Sequence, residues 1–431
     1  MLLWLLLGPL VFLTLVFALV GVLYITRGVH VRHVGGRRQG GSTPAVDDPF
    51  FCETVALLTR TTLEGGHRAE IFVSGDETYP RLWDDLRGAR RSITIQLYYC
   101  QPGRLAEEFK TILLDRARAG VKVLFLADAF GSGPLPKEYF AELRAGGVET
   151  AHFRPKRWYD LHKWQQRSHI RVIVVDGSVA WTGGFGLDDK WLGDGRHEGA
   201  WRDTNVRFEG PCVLQHQGTF AAGWAEATGV LLAGDAYFPP GESERDGDVH
   251  AGVLHAAPTV GSTVAERFMA LTLAAARRRL FISNAYFVPS DEQTELLVKA
   301  AGGGADVRVL TAAVGVTDAA STYYAGSLHW EKLLRGGVRI FEYQPSMMHA
   351  KTIVADGAWL AVGTMNFDNR SMTHNDETMF LARDERLGRQ LEEVFEEDLR
   401  YAREVTLEGH LARPLSRKLR ERVFDVVSRL L

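Results

Sequence analysis

Two stretches of the chain share one pattern, His169-Ile-Arg-Val-Ile-Val-Val-Asp176 and His349-Ala-Lys-Thr-Ile-Val-Ala-Asp356. In each copy a cation follows the histidine by two residues and an aspartate follows the cation by five, and the copies lie 180 residues apart. The Val- and Ile-rich centre of each copy predicts a buried β-strand, and a glycine turn follows at Gly183-Gly184 and Gly363-Thr364. Since side chains alternate along a strand, the histidine and the cation lie on one face, where one phosphate can contact both.

The segments around the two copies also repeat. Each copy is preceded by a strand, a helix, a second strand and a Gly-Gly-Val turn, the turns being 146–148 and 336–338. The predicted strands are 92–99, 121–126, 280–287 and 307–310, and the predicted helices are 105–119 and 292–301. The repeat indicates gene duplication and an α/β fold of two similar halves with pseudo-twofold symmetry.

Composition limits the class of protein. With 431 residues, 46% hydrophobic and 24% charged, the chain is long enough for two globular domains. Its net charge of −3 argues against nucleic acid as a partner. The three cysteines, Cys52, Cys100 and Cys212, lie far apart and predict neither a disulfide framework nor a metal site.

The N-terminal segment differs from the rest of the chain. Residues 2–25 are uncharged and apolar, and as a helix they extend roughly 36 Å, enough for a bilayer core of about 30 Å. A cleaved signal peptide would instead need a basic start. Because basic residues begin only at Arg27, we expect an uncleaved single-pass anchor in the cell (inner) membrane, with the catalytic domains in the cytoplasm.

The chain therefore divides into six predicted parts. They are a transmembrane anchor (1–26), a juxtamembrane linker (27–64), a first α/β domain (65–232), a linker (233–250), a second α/β domain (251–413) and a basic amphipathic C-terminal helix (414–431). The last helix is predicted either to lie on anionic lipid or to dock on the protein's own core.

The doubled histidine suits chemistry at a phosphodiester. One histidine can attack phosphorus while the other handles the proton of the leaving group. Brought together between the halves, His169, Arg171, His349 and Lys351 would surround a single phosphate. The remaining members of the predicted catalytic set are Asp176 and Asp356, which we interpret as orienting or turn-stabilising carboxylates.

Three polar residues downstream of the motifs extend the predicted site. Asn366 could donate its amide to a phosphate oxygen, although ordinary turn chemistry also explains an asparagine here. Glu377 is expected to accept from the outer nitrogen of His349, and Asp203 is the expected partner of His169.

At these residues the chain resembles the phospholipase D superfamily, and within it the bacterial cardiolipin synthases. The resemblance covers roughly residues 65 to 415 and includes 201–203, 286–289, 342–345 and 366–371. It implies two phospholipase D-type α/β domains, each a mixed sheet flanked by helices, with one active site at their interface. It also implies a phosphatidyl-histidine intermediate, phospholipid substrates and no metal or other cofactor.

The first half departs from the family pattern at two positions. Arg171 replaces the expected lysine, and Gly186 replaces the expected asparagine. Arginine keeps the charge and can bind phosphate through two nitrogens but does not donate its proton, whereas glycine removes an amide donor. We expect weaker phosphate contact in this half, and the resemblance favours His169 as the nucleophile.

The leading hypothesis is a membrane-anchored phosphatidyltransferase that forms cardiolipin, either from two phosphatidylglycerols or from phosphatidylglycerol and another phospholipid. One alternative is hydrolysis by the same residues, as in a phospholipase D or a nuclease. Another is a non-catalytic lipid-binding homologue, which Arg171 and Gly186 would favour. The sequence does not predict the oligomeric state.

Overall fold

The computed structural model describes residues 2–25, 30–35, 43–155, 166–240, 247–259 and 262–430. Of the first helix it describes the side chains of residues 8–18 and 21, and of the last helix those up to 424.

The first half of the chain contains helices α1 to α6 and strands β1 to β7. The helices are Leu2–Ile25 (α1), Phe51–Thr59 (α2), Ser74–Gly88 (α3), Arg104–Arg118 (α4), Lys137–Ala145 (α5) and Cys212–Thr228 (α6). The strands are Glu64–Val73 (β1), Ser92–Leu97 (β2), Lys122–Asp128 (β3), Glu149–Phe153 (β4), Val172–Val175 (β5), Val179–Gly183 (β6) and Thr204–Glu209 (β7).

The second half contains helices α7 to α14 and strands β8 to β15. The helices are Val264–Ala275 (α7), Asp291–Gly302 (α8), Ala320–Ser327 (α9), Trp330–Arg335 (α10), Asn369–Thr373 (α11), Glu385–Leu399 (α12), Leu407–Leu411 (α13) and Leu415–Leu430 (α14). The strands are Val249–Ala256 (β8), Arg279–Asn284 (β9), Asp306–Ala312 (β10), Arg339–Tyr343 (β11), Lys351–Ala355 (β12), Trp359–Gly363 (β13), Glu377–Arg383 (β14) and Ala402–Val405 (β15).

All these strands form one mixed sheet. Its order is β15-β11-β10-β9-β12-β13-β14-β8-β1-β7-β6-β5-β2-β3-β4, and β8 and β1, one strand from each half, pair antiparallel at the centre. On either side of that pair the halves mirror each other, and β15 is an extra strand at one edge. The predicted repeat of two α/β units is therefore present, but the halves share a single sheet instead of each having its own.

The predicted strands and helices match the repeat. The segments 92–99 and 121–126 correspond to β2 and β3, and 280–287 and 307–310 correspond to β9 and β10. The helices between them are α4 and α8, and the capping box of Ser290 and Gln293 begins α8. Every residue of β5 and β12 is buried, as predicted for the centre of each motif.

The chain ends are helical. The segment predicted as a membrane anchor forms α1. Among the residues that the structure describes, no helix is both long and apolar enough to cross a bilayer.

The C-terminal helix α14 docks on α9 and keeps part of its apolar surface exposed. Phe424 stacks on Tyr324 with ring centroids 5.8 Å apart, and the Arg417 guanidinium donates to the Tyr323 hydroxyl at 2.5 Å. Leu415, Leu419 and Val423 are 82%, 64% and 53% exposed. The helix thus combines docking on the protein with an exposed apolar stripe.

Candidate active site

The two motif histidines lie immediately before their strands, in segments that pair with the opposite half. The backbone N–H of His169 donates to the carbonyl of Asp376 at 2.9 Å, and that of His349 donates to the carbonyl of Arg202 at 2.7 Å. Short parallel bridges between Ser168 and Asp376 and between Arg202 and Met348 accompany these bonds. Each histidine is consequently held beside the carboxylate-bearing segment of the other half.

The two histidine–carboxylate pairs are crossed relative to the prediction. His169 Nδ1 lies 3.0 Å from Glu377 Oε2, and His349 Nδ1 lies 2.8 Å from Asp203 Oδ2. The sequence identified the right residues but paired each carboxylate with the wrong histidine. Sequence proximity favours partners within one half, whereas the backbone bridges place Glu377 and Asp203 across the interface.

The motif cations are buried next to the histidines. Lys351 Nζ donates to His349 Nε2 at 2.9 Å and to the His349 carbonyl at 2.5 Å. Arg171 donates from Nη1 to the His169 carbonyl and from Nε to the Phe185 carbonyl, both at 2.9 Å. The predicted proximity of histidine and cation is confirmed in both halves, and both cations contact the carbonyl of their own histidine.

Burial sets the charge of the site. It lowers the pKa of His349 to about 3 and that of His169 well below its ordinary value, with further effects from Lys351 and Arg171 respectively. It also lowers the pKa of Lys351 to about 7 and raises that of Glu377 to about 7. In the resting site both imidazoles are therefore neutral at pH 7. A neutral imidazole whose Nδ1–H points at a carboxylate presents Nε2 as a nucleophile or base.

The two carboxylates have different donors. Glu377 accepts from the hydroxyls of Ser371 at 2.7 Å and Thr364 at 2.5 Å. Asp203 accepts from the indole N–H of Trp191 at 2.8 Å. Burial would raise the pKa of Asp203, but the hydrogen bond from His349, the charge of Lys351 and the hydrogen bond from Trp191 lower it. The second histidine thus faces an ionised carboxylate.

The motif aspartates bind backbone N–H groups at the far end of their strands, and their place in the predicted catalytic set stays a prediction. Asp176 accepts backbone N–H groups of residues 90, 91 and 92 at 2.8, 2.7 and 2.9 Å. Asp356 does the same for residues 277, 278 and 279 at 2.9, 2.7 and 2.9 Å. Five residues along a strand carry them about 17 Å from the cations, to the far end of β5 and β12. The interpretation as turn-stabilising carboxylates is confirmed by these bonds.

The turns themselves explain the Asp-Gly sequence. Asp176 and Gly177 have φ of 55° and 68°, and Asp356 and Gly357 have 55° and 69°. Two successive positive φ angles favour Asp or Asn followed by Gly. The aspartate of the motif is therefore required by the hairpin and by the start of the neighbouring strand.

Asn366 and Gly186 occupy equivalent places in the two halves. The Asn366 side chain is buried, and its Oδ1 has no hydrogen-bond partner in the part of the chain that the structure describes. A Cβ at Gly186 would lie 3.0 Å from the Trp191 ring and 3.0 Å from the Tyr99 carbonyl. The phosphate contact predicted for Asn366 remains a prediction.

Sequence reasoning missed several residues of the site. Trp191, Ser371 and Thr364 bind the carboxylates, and Trp201 packs on His349 with ring centroids 5.0 Å apart. The 180-residue offset aligns Trp191 with Ser371, and this alignment was the available signal. Trp191 and Ser371 both donate a hydrogen bond to a carboxylate, but an indole and a hydroxyl do not look equivalent in the sequence.

The chain is similar to known proteins along most of its length. The family model for the cardiolipin synthase, phospholipase D-like domain matches residues 269–399. A cardiolipin synthase of Geobacillus sp. (strain WCH70) is 33% identical over 378 residues, which cover 88% of this chain and 72% of that protein. The chain belongs to the cardiolipin synthase family. It is accordingly a phosphatidyltransferase-type enzyme of the phospholipase D superfamily.

Other cardiolipin synthases show a similar identity to this chain and a similar coverage of it. Cardiolipin synthase A of Pseudomonas syringae pv. syringae (strain B728a) is 32% identical over 367 residues, covering 85% of this chain and 75% of that protein.

Among solved structures, the phosphatidylserine synthase of Haemophilus influenzae Rd KW20 has a TM-score of 0.66 at 12% identity, covering 88% of this chain and all of that one. The polyphosphate kinase of Porphyromonas gingivalis has a TM-score of 0.55 at 11% identity, covering 84% of this chain and 54% of that one. These structures support the fold alone.

Proposed function

We propose that this cardiolipin synthase homologue transfers a phosphatidyl group from one phosphatidylglycerol to the terminal hydroxyl of another. The single observation that carries the proposal is the crossed pair of buried histidines. Each has its Nδ1 at a carboxylate, 3.0 Å for His169 and 2.8 Å for His349, which leaves Nε2 for chemistry at one phosphodiester.

In the first step, Nε2 of His169 attacks phosphorus and the bond to the glycerol head group breaks. Glu377 balances the positive charge that forms on the imidazole. The glycerol oxygen takes a proton that passes from Lys351 through His349 along their 2.9 Å contact, so that Lys351 and His349 are both neutral when the glycerol has left. A bound phosphodiester adds negative charge, which raises the pKa of both groups and favours the protonated form that this step needs.

In the second step, the terminal hydroxyl of another phosphatidylglycerol gives its proton to His349 and attacks phosphorus. The phosphorus–nitrogen bond breaks, which releases cardiolipin and restores His169. Arg171, Lys351 and Asn366 are the groups that we assign to the phosphoryl oxygens, where hydrogen bonds and positive charge stabilise the transition state.

Burial supports transfer over hydrolysis. His169 and His349 are only 7% and 4% exposed, so bulk water has little access to either imidazole in the protein without lipid. The names of the relatives point the same way. A nuclease remains disfavoured because the chain has a net charge of −3.

Membrane association is a second element of the proposal. The uncharged segment 2–25 would anchor the chain in the cell membrane with its catalytic body in the cytoplasm, as the basic residues from Arg27 onward indicate. The exposed Leu415, Leu419 and Val423 of α14 would contact the same surface. Replacing these three by serine should weaken binding of a chain lacking residues 1–26 to phosphatidylglycerol vesicles. Replacing the exposed Val230 and Leu231 by serine is the control and should not.

The decisive experiment is product analysis. Purified full-length protein is given vesicles of phosphatidylglycerol labelled in the head group and in the acyl chains. Cardiolipin plus free glycerol is the expected outcome. Phosphatidic acid as the main product would establish hydrolysis, and no turnover would favour a non-catalytic lipid-binding protein. Trapped phosphorus should be found on His169, and its recovery on His349 alone would reverse the assignment of nucleophile.

A further inference from the structure

The two halves use unlike side chains at three equivalent positions around their carboxylates. With the 180-residue offset, Gly184, Gly186 and Trp191 of the first half correspond to Thr364, Asn366 and Ser371 of the second. The same offset relates equivalent structural positions. Strands β6 and β13 end at Gly183 and Gly363, and the short helical turns that follow are capped by Asp188 and Asp368.

In each half, the length of the donor side chain compensates for the length of the carboxylate side chain that it binds. In the second half the long carboxylate Glu377 meets the short donor Ser371, with an oxygen–oxygen distance of 2.7 Å. In the first half the short carboxylate Asp203 meets the long donor Trp191, with a nitrogen–oxygen distance of 2.8 Å. Glu377 and Asp203 themselves occupy equivalent positions, since Thr378 and Thr204 follow them at matching places on β14 and β7.

The two glycines provide the space that this exchange requires. A Cβ at Gly186 would lie 3.0 Å from two carbons of the buried Trp191 ring, and the remaining atoms of an asparagine would need the volume of the indole. A Cβ at Gly184 would lie 2.2 Å from Asp203 Oδ1. An indole at 191 is therefore incompatible with an asparagine at 186, and the Asp203 carboxylate is incompatible with a threonine at 184.

The same indole also contacts the imidazole that Asp203 holds. Trp191 meets His349 edge to face, with ring centroids 5.2 Å apart and an interplanar angle of 88°. Trp201 covers another part of that ring. His349 is consequently fixed through its Nδ1 and by two aromatic walls.

We infer that Trp191 is a positioning residue for His349, acting through Asp203, and that Gly186 leaves room for the indole while Gly184 leaves room for the Asp203 carboxylate. The departure from the family pattern at Gly186 is then one part of a coupled exchange and does not indicate a decaying half. This inference rests on the proposed proton-transfer role of His349.

The hydrogen bond is tested with Trp191→Phe in the full-length protein, using phosphatidylglycerol vesicles. The variant keeps most of the packing but lacks the N–H. We expect kcat to fall about tenfold with KM unchanged. Loss of a donor makes Asp203 more basic, which raises the basicity of His349 and of the proton that it shares with Lys351, so the alkaline limb of kcat should move up by roughly half a unit. Trp201→Phe is the matched control, because it alters an aromatic wall of His349 and should not move that limb.

The length compensation is tested with Trp191→Ser, Asp203→Glu and the double variant. Each single change should lower kcat at least tenfold, and the double variant should exceed Trp191→Ser several-fold, since a longer carboxylate can reach a shorter donor. Wild-type kcat and pH profile in Trp191→Phe, or a double variant no better than its parents, would overturn the inference.

The role of Gly186 is tested independently of turnover. Gly186→Asn should lower the melting temperature of the wild type by several degrees and that of the Trp191→Ser protein by much less. An equal decrease in melting temperature in the wild type and in Trp191→Ser would refute the coupling between Gly186 and Trp191. If the wild type makes no lipid product, the proposed function fails, while this thermal comparison still reports on the coupled exchange.

Discussion

His169 Nδ1 lies 3.0 Å from Glu377 Oε2, although 208 residues separate them and they belong to opposite halves. The reciprocal pair, His349 and Asp203, is 146 residues apart and lies 2.8 Å from nitrogen to oxygen. Each half therefore supplies a histidine to one pair and a carboxylate to the other. Neither half contains a complete proton-handling pair of its own.

Removing the charge of each carboxylate should affect different steps. Glu377→Gln should lower kcat about 10³-fold, because it removes the charge that stabilises the attacked imidazole. Asp203→Asn should cause a similar loss with phosphatidylglycerol, because His349 would present the wrong tautomer to the leaving group.

A substrate with a nitrophenol leaving group separates these effects, since nitrophenolate leaves without a proton. Burst release of nitrophenol should survive in Asp203→Asn and be lost in Glu377→Gln. The opposite pattern would contradict the assignment of His169 as nucleophile.

The activity should be a narrow bell in pH. Burial raises the pKa of Glu377 to about 7, so its carboxylate, and with it kcat/KM, is gained as pH rises through that value. Burial lowers the pKa of Lys351 to about 7, so its ammonium is lost as pH rises through the same value.

Lys351→Arg identifies the alkaline limb. The guanidinium keeps its charge, so the remaining activity should no longer fall between pH 7 and 9. An unchanged alkaline limb in this variant would assign that limb to another group. The measurement is the initial rate of transfer at low substrate concentration across pH 5 to 9.

The motif aspartates should matter for stability more than for chemistry. Asp356→Ala removes the acceptor of the three backbone N–H groups of residues 277–279 and should lower the free energy of unfolding by about 2 kcal/mol. Asp356→Asn keeps one oxygen and tolerates the φ of 55°, so its loss should be about half as large. The folded fraction of either variant should retain kcat. A fully folded but inactive Asp356→Asn protein would return this residue to the catalytic set.

A buried ion pair supports the segment that holds His349. Arg202 Nη2 lies 2.7 Å from Asp398 Oδ2 and both side chains are buried, while the Arg202 carbonyl accepts the backbone N–H of His349. Asp398→Ala should cost about 3 kcal/mol of stability, because it leaves the guanidinium buried without its partner.

Glu397→Ala is the adjacent control for this change. Its pair with Arg196 is 3.3 Å long and about 40% exposed, so its loss should cost less than about 1 kcal/mol. Urea unfolding of both variants measures the difference. Equal losses would mean that the buried pair adds nothing beyond an exposed one.

Much of the fold follows from local sequence. The Val- and Ile-rich motif centres, the strands before them and the helices between them were predicted because each pattern is contained in a short window. The single sheet was not, since the pairing of β1 with β8 joins segments about 180 residues apart and leaves no periodic signal. The burial of Lys351 beside His349 was predictable from the two-residue spacing on a strand.

The sequence predicted which carboxylates belong to the site but did not predict which histidine each one binds. Composition and motif spacing identified Glu377 and Asp203, but the choice of partner depends on bridges such as that of Ser168 with Asp376. Trp191 was missed because an indole and a serine hydroxyl have no common sequence pattern, although both donate to a carboxylate. The role of the motif aspartates needed the backbone N–H groups of residues distant in sequence.

The ladder between β1 and β8 has a consequence for how lipids enter. His169 and His349 are attached to strands on either side of that ladder, so opening the site by moving the halves apart would break the sheet at its centre. The continuous sheet thus holds the strands that follow the two histidines in one relative position. We therefore expect a substrate to bind without any change in the relative position of the two halves.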